Sequence, residues 1–296
     1  MEDVILATPP FFSFSQNLSY LARSADECLY RIENGSIYRW IDAGGEHIAV
    51  EISEAAGEAA LRIRFREQPS PAGREGAIRF IREWFDMDRD LAPFYAMARQ
   101  DHLLQEAAVR FEGLRLIGIP DLFEAVCWGI LGQQINLKFA YTLKKRFVER
   151  FGAHTEWEGH TLWLFPKPSV VMELQIEDLT AMQITTRKAE YMIGVAGLME
   201  AGELSKSALI AAGGLREAEK QLVCIRGIGP WTANYALMRC LRMTNAFPID
   251  DVGLHLAIKH RLGLPDKPPV KQIREITTGW SGWESYATFY MWKTLY

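Results

Sequence analysis

Cysteine is scarce in this chain: only Cys28, Cys127, Cys224 and Cys240 occur in 296 residues. They are scattered through apolar contexts and show no metal-ligand spacing, which excludes a disulfide scaffold or a zinc ribbon and leaves reduced core thiols as the expectation. Long apolar runs are also missing, so no segment reads as a bilayer span. Met1-Glu-Asp lacks the basic start of a signal peptide, and a cytoplasmic protein is expected. Internal repeats and low-complexity tracts are absent. There is no excess of positive charge either, since 33 Lys and Arg stand against 37 Asp and Glu, a net charge of −4. That is not the balance of a protein that coats nucleic acid. What is present is an ordinary soluble composition, 49% hydrophobic and 24% charged, in a chain long enough for two or three small domains.

The charge is unevenly distributed. From Gln221 to Tyr296 there are nine Lys or Arg against five Asp or Glu, a local +4, so the preceding part carries −8. A locally basic face suits a brief grip on a few phosphates, and ordinary surface variation accounts for it equally well.

The patterning divides the chain in two. Leu29-Tyr-Arg-Ile32 and Ile37-Tyr-Arg-Trp40 flank Glu33-Asn-Gly-Ser36, and Asn-Gly between alternating segments is a strong hairpin signal. His47–Ile52 and Leu61–Arg66 read as further strands, with Gly44-Gly45 turning before the first of them. Pro69-Ser-Pro-Ala-Gly73 breaks this pattern. From Arg74 onward the spacing is helical, as in Ile78, Ile81, Trp84 and Phe85, and again in Phe123, Val126, Cys127, Ile130 and Leu131. Thr161–Pro168 reads as a short irregular interruption.

Two segments near the C-terminus carry the chemistry. Leu222-Val-Cys-Ile-Arg-Gly-Ile-Gly-Pro-Trp-Thr-Ala-Asn-Tyr235 places Gly227 and Gly229 between two apolar helical stretches, with Pro230 suited to the first helical turn. Such a turn can converge backbone N–H groups on a phosphate, or it can be a plain helix corner with glycines for tight packing. Phe247-Pro-Ile-Asp-Asp-Val-Gly-Leu254 follows, with Asp250 and Asp251 where the next helix begins. Either aspartate can cap that helix, and either can supply a carboxylate to chemistry beside it.

These residues resemble the helix-hairpin-helix and Gly/Pro-Asp signature of the DNA glycosylase superfamily, most closely its 3-methyladenine glycosylase II (AlkA) branch. Pro120-Asp-Leu-Phe-Glu-Ala-Val-Cys-Trp-Gly-Ile-Leu-Gly-Gln-Gln134 is similar to the family's earlier helix and DNA-wedge loop. Trp280-Ser-Gly-Trp-Glu-Ser-Tyr-Ala-Thr-Phe-Tyr-Met-Trp292 is similar to its closing helix. The three blocks cover about Pro120 to Tyr296. The resemblance implies an α+β fold: an antiparallel β-sheet domain at 1–73, then a mainly α-helical body of two lobes. One lobe comprises 74–110 and 232–296 and carries the catalytic Asp, and the other, 111–231, ends in the hairpin.

What the resemblance implies for function is a monofunctional enzyme that flips alkylated purines out of double-stranded DNA and hydrolyses their N-glycosyl bond, in base excision repair. The catalytic carboxylate maps to Asp251 when the Phe-Pro-x-x-Asp-x-Gly-Leu register is used, and to Asp250 in the Pro-x-Asp register. Strand-cleaving relatives carry a Lys where this chain has Trp231, so no Schiff base is expected. Trp231, Tyr235 and Trp292 are the expected walls of a base pocket suited to cationic purines, whereas core packing is the expectation for Trp280 and Trp283. Gly227, Gly229, Thr232, Gln133 and Gln134 are the expected DNA-binding residues, with Gln134 where the branch commonly has an apolar wedge. Asn136 and Lys138 fit a solvated helix start slightly better than a DNA contact. A structural Na+ or K+ would map to the backbone carbonyls of Val223, Ile225 and Ile228. No cofactor for catalysis, no iron–sulfur cluster and a monomer are expected. The alternatives are an oxidised-purine (8-oxoguanine-type) glycosylase and a non-catalytic helix-hairpin-helix DNA-binding protein.

Overall fold

Asn34 and Gly35 both adopt positive φ, 50° and 78°, as a two-residue turn between strands with native right-handed twist requires. In the computed structural model, which describes residues 3–296, that turn lies in a five-stranded antiparallel sheet. Its strands are β1 (Val4–Ala7), β2 (Tyr30–Glu33), β3 (Ser36–Asp42), β4 (His47–Glu54) and β5 (Ala60–Phe65), in the spatial order β1-β5-β4-β3-β2. Four of these follow the alternation in the sequence. β1 does not: it pairs across the sheet with β5, Val4 opposite Ile63, and no local turn announces it. Between β1 and β2 the chain inserts α1 (Phe14–Leu21), capped by Ser13, whose hydroxyl accepts from the Gln16 N–H.

Helices then follow in close succession. α2 (Pro71–Trp84) starts within the expected break, with Ser70 as its cap and Pro71 in its first turn, and packs on β3 and β4. After it come α3 (Ala92–Ala98), α4 (Gln105–Arg110), α5 (Leu122–Gly132) and α6 (Leu137–Phe151). Every residue of α5 from Leu122 to Leu131 is buried, so it forms the centre of the body rather than one amphipathic face.

Thr161–Pro168, expected to be irregular, begins as strand at 161–163. β6 (His154–Trp157) and β7 (His160–Trp163) form a hairpin whose turn residues Glu158 and Gly159 take φ of 49° and 81°. Glu-Gly is a poor turn signal, and tertiary contacts compensate. Trp157 packs edge-on against Tyr38 of the sheet with ring centroids 5.5 Å apart. Glu158 accepts both Nη groups of Arg64, at 2.7 and 2.8 Å. The hairpin thus covers the outer face of the N-terminal sheet.

The remaining helices are α7 (Pro168–Val171), α8 (Ile176–Thr180), α9 (Thr186–Glu200), α10 (Lys206–Ala211), α11 (Leu215–Val223), α12 (Pro230–Arg239), α13 (Val252–Leu262), α14 (Val270–Ile276) and α15 (Glu284–Lys293). α12 packs against α5 and α11, and the expected lobe boundary between 231 and 232 falls within it. α5 and α12 approach so closely that a Cβ on Gly129 would lie 2.8 Å from the Thr232 methyl. Trp280 is fully buried, its indole N–H donating to Asp101 at 3.1 Å, and Trp283 is half-buried against Phe94 and Tyr286, so both pack in the core. Three cysteines are buried thiols. Cys224 corrects the expectation, for it is exposed on the hairpin just past the end of α11.

Candidate active site

Asp251 is the N-cap of α13. Its Oδ1 accepts the Leu254 N–H at 2.8 Å, the bond expected of a capping aspartate. The same side chain meets two indoles: Trp292 of α15 donates its Nε1–H to Oδ1 at 2.7 Å, and Trp231 of α12 donates its own to Oδ2 at 3.0 Å. Capping and a place in the aromatic cluster therefore belong to one carboxylate. Asp250 is exposed and lines the open groove along the hairpin.

The loop that presents Asp251 is held on both sides. The Asp251 N–H donates to the Pro248 carbonyl at 2.9 Å, His255 bonds the Ile249 carbonyl through Nε2 at 2.8 Å, and Asn234 of α12 accepts the Phe247 N–H at 3.0 Å. The Asn234 amide also donates to Glu219 of α11 at 2.8 Å, so hairpin helix and carboxylate loop share one side chain. Gly253 leaves room for this pair: a Cβ there would press on them, 3.0 Å from Asp251 Oδ1 and 3.3 Å from Trp292 Nε1.

The three expected wall residues are brought together. Trp231 and Tyr235 stack with centroids 5.7 Å apart at 30°, and Tyr235 lies 6.2 Å from Trp292. Tyr235 is only 5% exposed and its hydroxyl accepts from Arg239 at 2.8 Å. Burial pushes its phenol up to about 12, against the opposing pull of Arg239, so it is neutral.

At the hairpin, Gly227 takes a φ of 93°, and a Cβ there would lie 2.2 Å from the Tyr191 ring. Gly229 is different, with ordinary φ of −86° and no atom within 4 Å of a built Cβ. Its freedom is open space at the start of α12.

Gln134 stands exposed at the loop tip with φ of 57°. Gln133 turns inward instead. Its amide donates to the Gly227 carbonyl at 2.9 Å and to the Thr232 hydroxyl at 3.0 Å, stapling the loop after α5 to the hairpin. Thr232, grouped by sequence with the DNA-binding residues, is 2% exposed; its hydroxyl is that staple's acceptor, and the side chain packs instead of facing outward. Asn136 caps α6, accepting the Phe139 N–H at 2.9 Å, and Lys138 is exposed. Sequence reasoning missed Lys188, whose ammonium donates to the Leu131 and Gln133 carbonyls at 2.7 and 2.8 Å and so caps the end of α5 where the loop begins. A lone lysine in α9 offers no signal for this.

A carboxylate gripped by two indoles beside a glycine hairpin is the decisive arrangement, and a family model described as HhH-GPD superfamily base excision DNA repair protein matches residues 127–282 around it. The chain belongs to that family. A second model, the AlkA N-terminal domain, matches residues 4–121 of this HhH-GPD protein, the sheet together with α1 to α4. It is 49% identical over 300 residues to the DNA-3-methyladenine glycosylase of Bacillus subtilis (strain 168), an alignment covering 100% of this chain and 98% of that protein. Among solved structures, the 3-methyladenine DNA-glycosylase from Archaeoglobus fulgidus superposes with a TM-score of 0.83 at 23% identity, over 99% of this chain and 98% of that one. The Clostridium acetobutylicum 8-oxoguanine glycosylase/lyase in complex with double-stranded DNA gives 0.76 at 19% identity, over 99% and 97%. These two likenesses extend the fold assignment to the whole HhH-GPD chain.

Proposed function

We propose that this protein is a monofunctional DNA glycosylase, a hydrolase that excises alkylated purines of the 3-methyladenine and 7-methylguanine type from double-stranded DNA in base excision repair and leaves an abasic site. The observation that carries the reading is the Asp251 carboxylate, oriented by the Trp231 and Trp292 indoles and set beside the rings of Trp231, Tyr235 and Trp292. As the bond from C1′ to the base nitrogen breaks, its electron pair leaves with the base and positive charge grows on the sugar. A fixed carboxylate stabilises that charge without reorganising. Water then adds to C1′ and gives its proton to Asp251 or to solvent. An alkylated purine already carries a positive charge, so it departs neutral and needs little acid help. The aromatic rings supply stacking and cation–π attraction to it.

The free N–H groups at the start of α12, with open space beside Gly229, suit a DNA phosphate, and exposed Gln134 suits the gap a flipped base leaves. The lobe formed by 74–110 with 232–296 and the lobe formed by 111–231 then face each other across the damaged nucleotide. A hairpin Na+ or K+ fits the loop. Among the described residues, the Val223 and Ile228 carbonyls accept no backbone hydrogen bond, and Ile225 accepts one, from Ile228 at 3.0 Å. Such an ion would stiffen the turn and take no part in the chemistry. A monomer working in the cytoplasm completes the reading. An oxidised-purine lyase is disfavoured because Trp231 stands where its amine would have to be.

Base release from methylated duplex DNA by the wild type, Asp251→Asn and Asp250→Asn, with strand cuts scored before and after alkali, tests it. The expected result is alkylpurine release with alkali-dependent cuts, lost by at least 100-fold in Asp251→Asn alone. Nicking without alkali, or DNA binding without release, would overturn it.

A further inference from the structure

Behind the aromatic cluster the chain keeps an arginine without a matching acid. Arg23 follows α1, half-buried, with its guanidinium 3.9 Å above the Tyr20 ring and 5.6 Å from that of Tyr141. Its Nη1 donates to the Tyr20 carbonyl at 3.0 Å. A guanidinium has five N–H donors, and among the described residues the others of Arg23 meet no carboxylate and no second acceptor.

The neighbours explain why this matters. Arg23 lines a small cavity of about 30 Å³ together with Tyr235, Arg239, Trp128, Tyr141 and Glu27. Most of the other charged groups around that cavity have partners. Glu27 and Glu124 each accept from Lys144 at 3.2 Å, and Arg239 donates to the Ile117 carbonyl at 2.7 Å and the Tyr235 hydroxyl at 2.8 Å. Arg39 also has spare donors, but its guanidinium is buried and held 4.0 Å from Glu124, whereas Arg23 is half-buried, stands over the Tyr20 ring and has no carboxylate partner among the described residues. Tyr235 belongs to both regions, stacking on Trp231 and walling the cavity. A space of this size admits a water or one exocyclic atom of a base, and not a ring.

We propose that Arg23 reads the exocyclic edge of the base held against Tyr235, donating to a carbonyl oxygen there and so favouring 6-oxopurines over 6-aminopurines. The inference rests on the glycosylase reading above. A guanidinium cannot accept a hydrogen bond, so an amino group at that edge meets only like-facing N–H groups, while an oxygen receives one or two charged donors. A site built to donate to such an oxygen discriminates strongly against analogues that lack it.

Methylated duplex DNA supplies both edges in one substrate, because 7-methylguanine carries the oxygen and 3-methyladenine the amino group, and both are cationic. The readout is the single-turnover rate ratio of the two bases released, which does not depend on the fraction of active enzyme. In Arg23→Met the ratio of 7-methylguanine to 3-methyladenine release is expected to fall by roughly 10- to 100-fold, with 3-methyladenine release within about 3-fold of wild type. Arg23→Lys, which keeps one charged donor, is expected to fall between the two. If Arg23→Met does not fold, Arg23→Lys together with Arg23→Gln decides on the same ratio. An unchanged ratio with both rates lowered means that Arg23 only supports the fold, and an unchanged ratio with both rates intact means that it does not reach the base. Either sinks this inference and leaves the glycosylase reading standing. A wild type that releases neither base would sink that reading and this inference with it.

Discussion

At the scale of single residues, the site turns on how one carboxylate is held. Oδ1 of Asp251 is fixed by two donors, the Leu254 N–H and the Trp292 indole, while Oδ2 has Trp231 as its single donor among the described residues. Trp231→Phe keeps an aromatic wall and deletes that donor. A hydrogen bond to a charged group is worth about 1.5–3 kcal/mol, so kcat for alkylpurine release is expected to drop by roughly 10- to 100-fold while the Kd for duplex DNA stays within about 2-fold. Full activity in Trp231→Phe under single-turnover conditions would show that the ring alone matters. This is also where the sequence was only half legible. The aspartate, the tryptophans and their grouping followed from the motif blocks. The direction of the indole N–H groups did not, because it depends on partners 20 and 41 residues away that only the packed helices bring to one point. Lys188 and Arg23 were invisible for a related reason: residues of common type, they acquire their roles from carbonyls and rings supplied by other elements.

At the scale of elements, the hairpin between α11 and α12 separates two uses of glycine that look alike in the sequence. Gly227 has a positive φ and is walled by Tyr191, so Gly227→Ala must strain the backbone and move the ring. A loss of about 2–3 kcal/mol in stability is expected on the scale of strained backbone positions, read by urea denaturation, with DNA affinity falling as a consequence. Gly229 has neither constraint. Gly229→Ala should leave the denaturation midpoint nearly unchanged and still weaken DNA binding by about 10-fold, because the methyl would occupy the space proposed for a phosphate at the start of α12. Equal binding by Gly229→Ala and wild type in a fluorescence anisotropy titration would remove the phosphate from that position. Turn chemistry explains the unequal legibility of the other elements as well. Asn34-Gly35 announces its hairpin because both residues accept positive φ readily, whereas Glu158-Gly159 adopts a similar turn only because Tyr38 and Arg64 hold the hairpin from the sheet. β1 was hidden likewise, since its partner lies more than fifty residues along the chain.

At the scale of the whole molecule, the question is what fixes the N-terminal sheet to the helical body that carries the site. The two meet around a buried charge cluster. Lys144 of α6 donates to Glu27, in the segment leading to β2, and to Glu124 of α5, each at 3.2 Å, and Arg39 of β3 approaches Glu124 at 4.0 Å. All four are less than 9% exposed. Burial opposes ionisation of Glu27, but Lys144 and the Leu29 N–H outweigh it, so its carboxyl is held below the usual range. Lys144→Met fills a similar volume and leaves two carboxylates without their common cation, which is expected to cost about 3–5 kcal/mol. The wild type should carry the matching pH signature. A carboxyl with a depressed folded-state pKa contributes its stability above the unfolded value near 4.5 and loses it as the pH falls through the lower folded value. Urea denaturation of wild type and Lys144→Met at pH 7, and at a series of lower pH values down through that window, tests the cluster directly. The difference between the two proteins should be largest at pH 7 and shrink as Glu27 takes up its proton. A difference that stays constant with pH would show that Lys144 contributes packing alone, and that the sheet is fixed to the body by its apolar contacts.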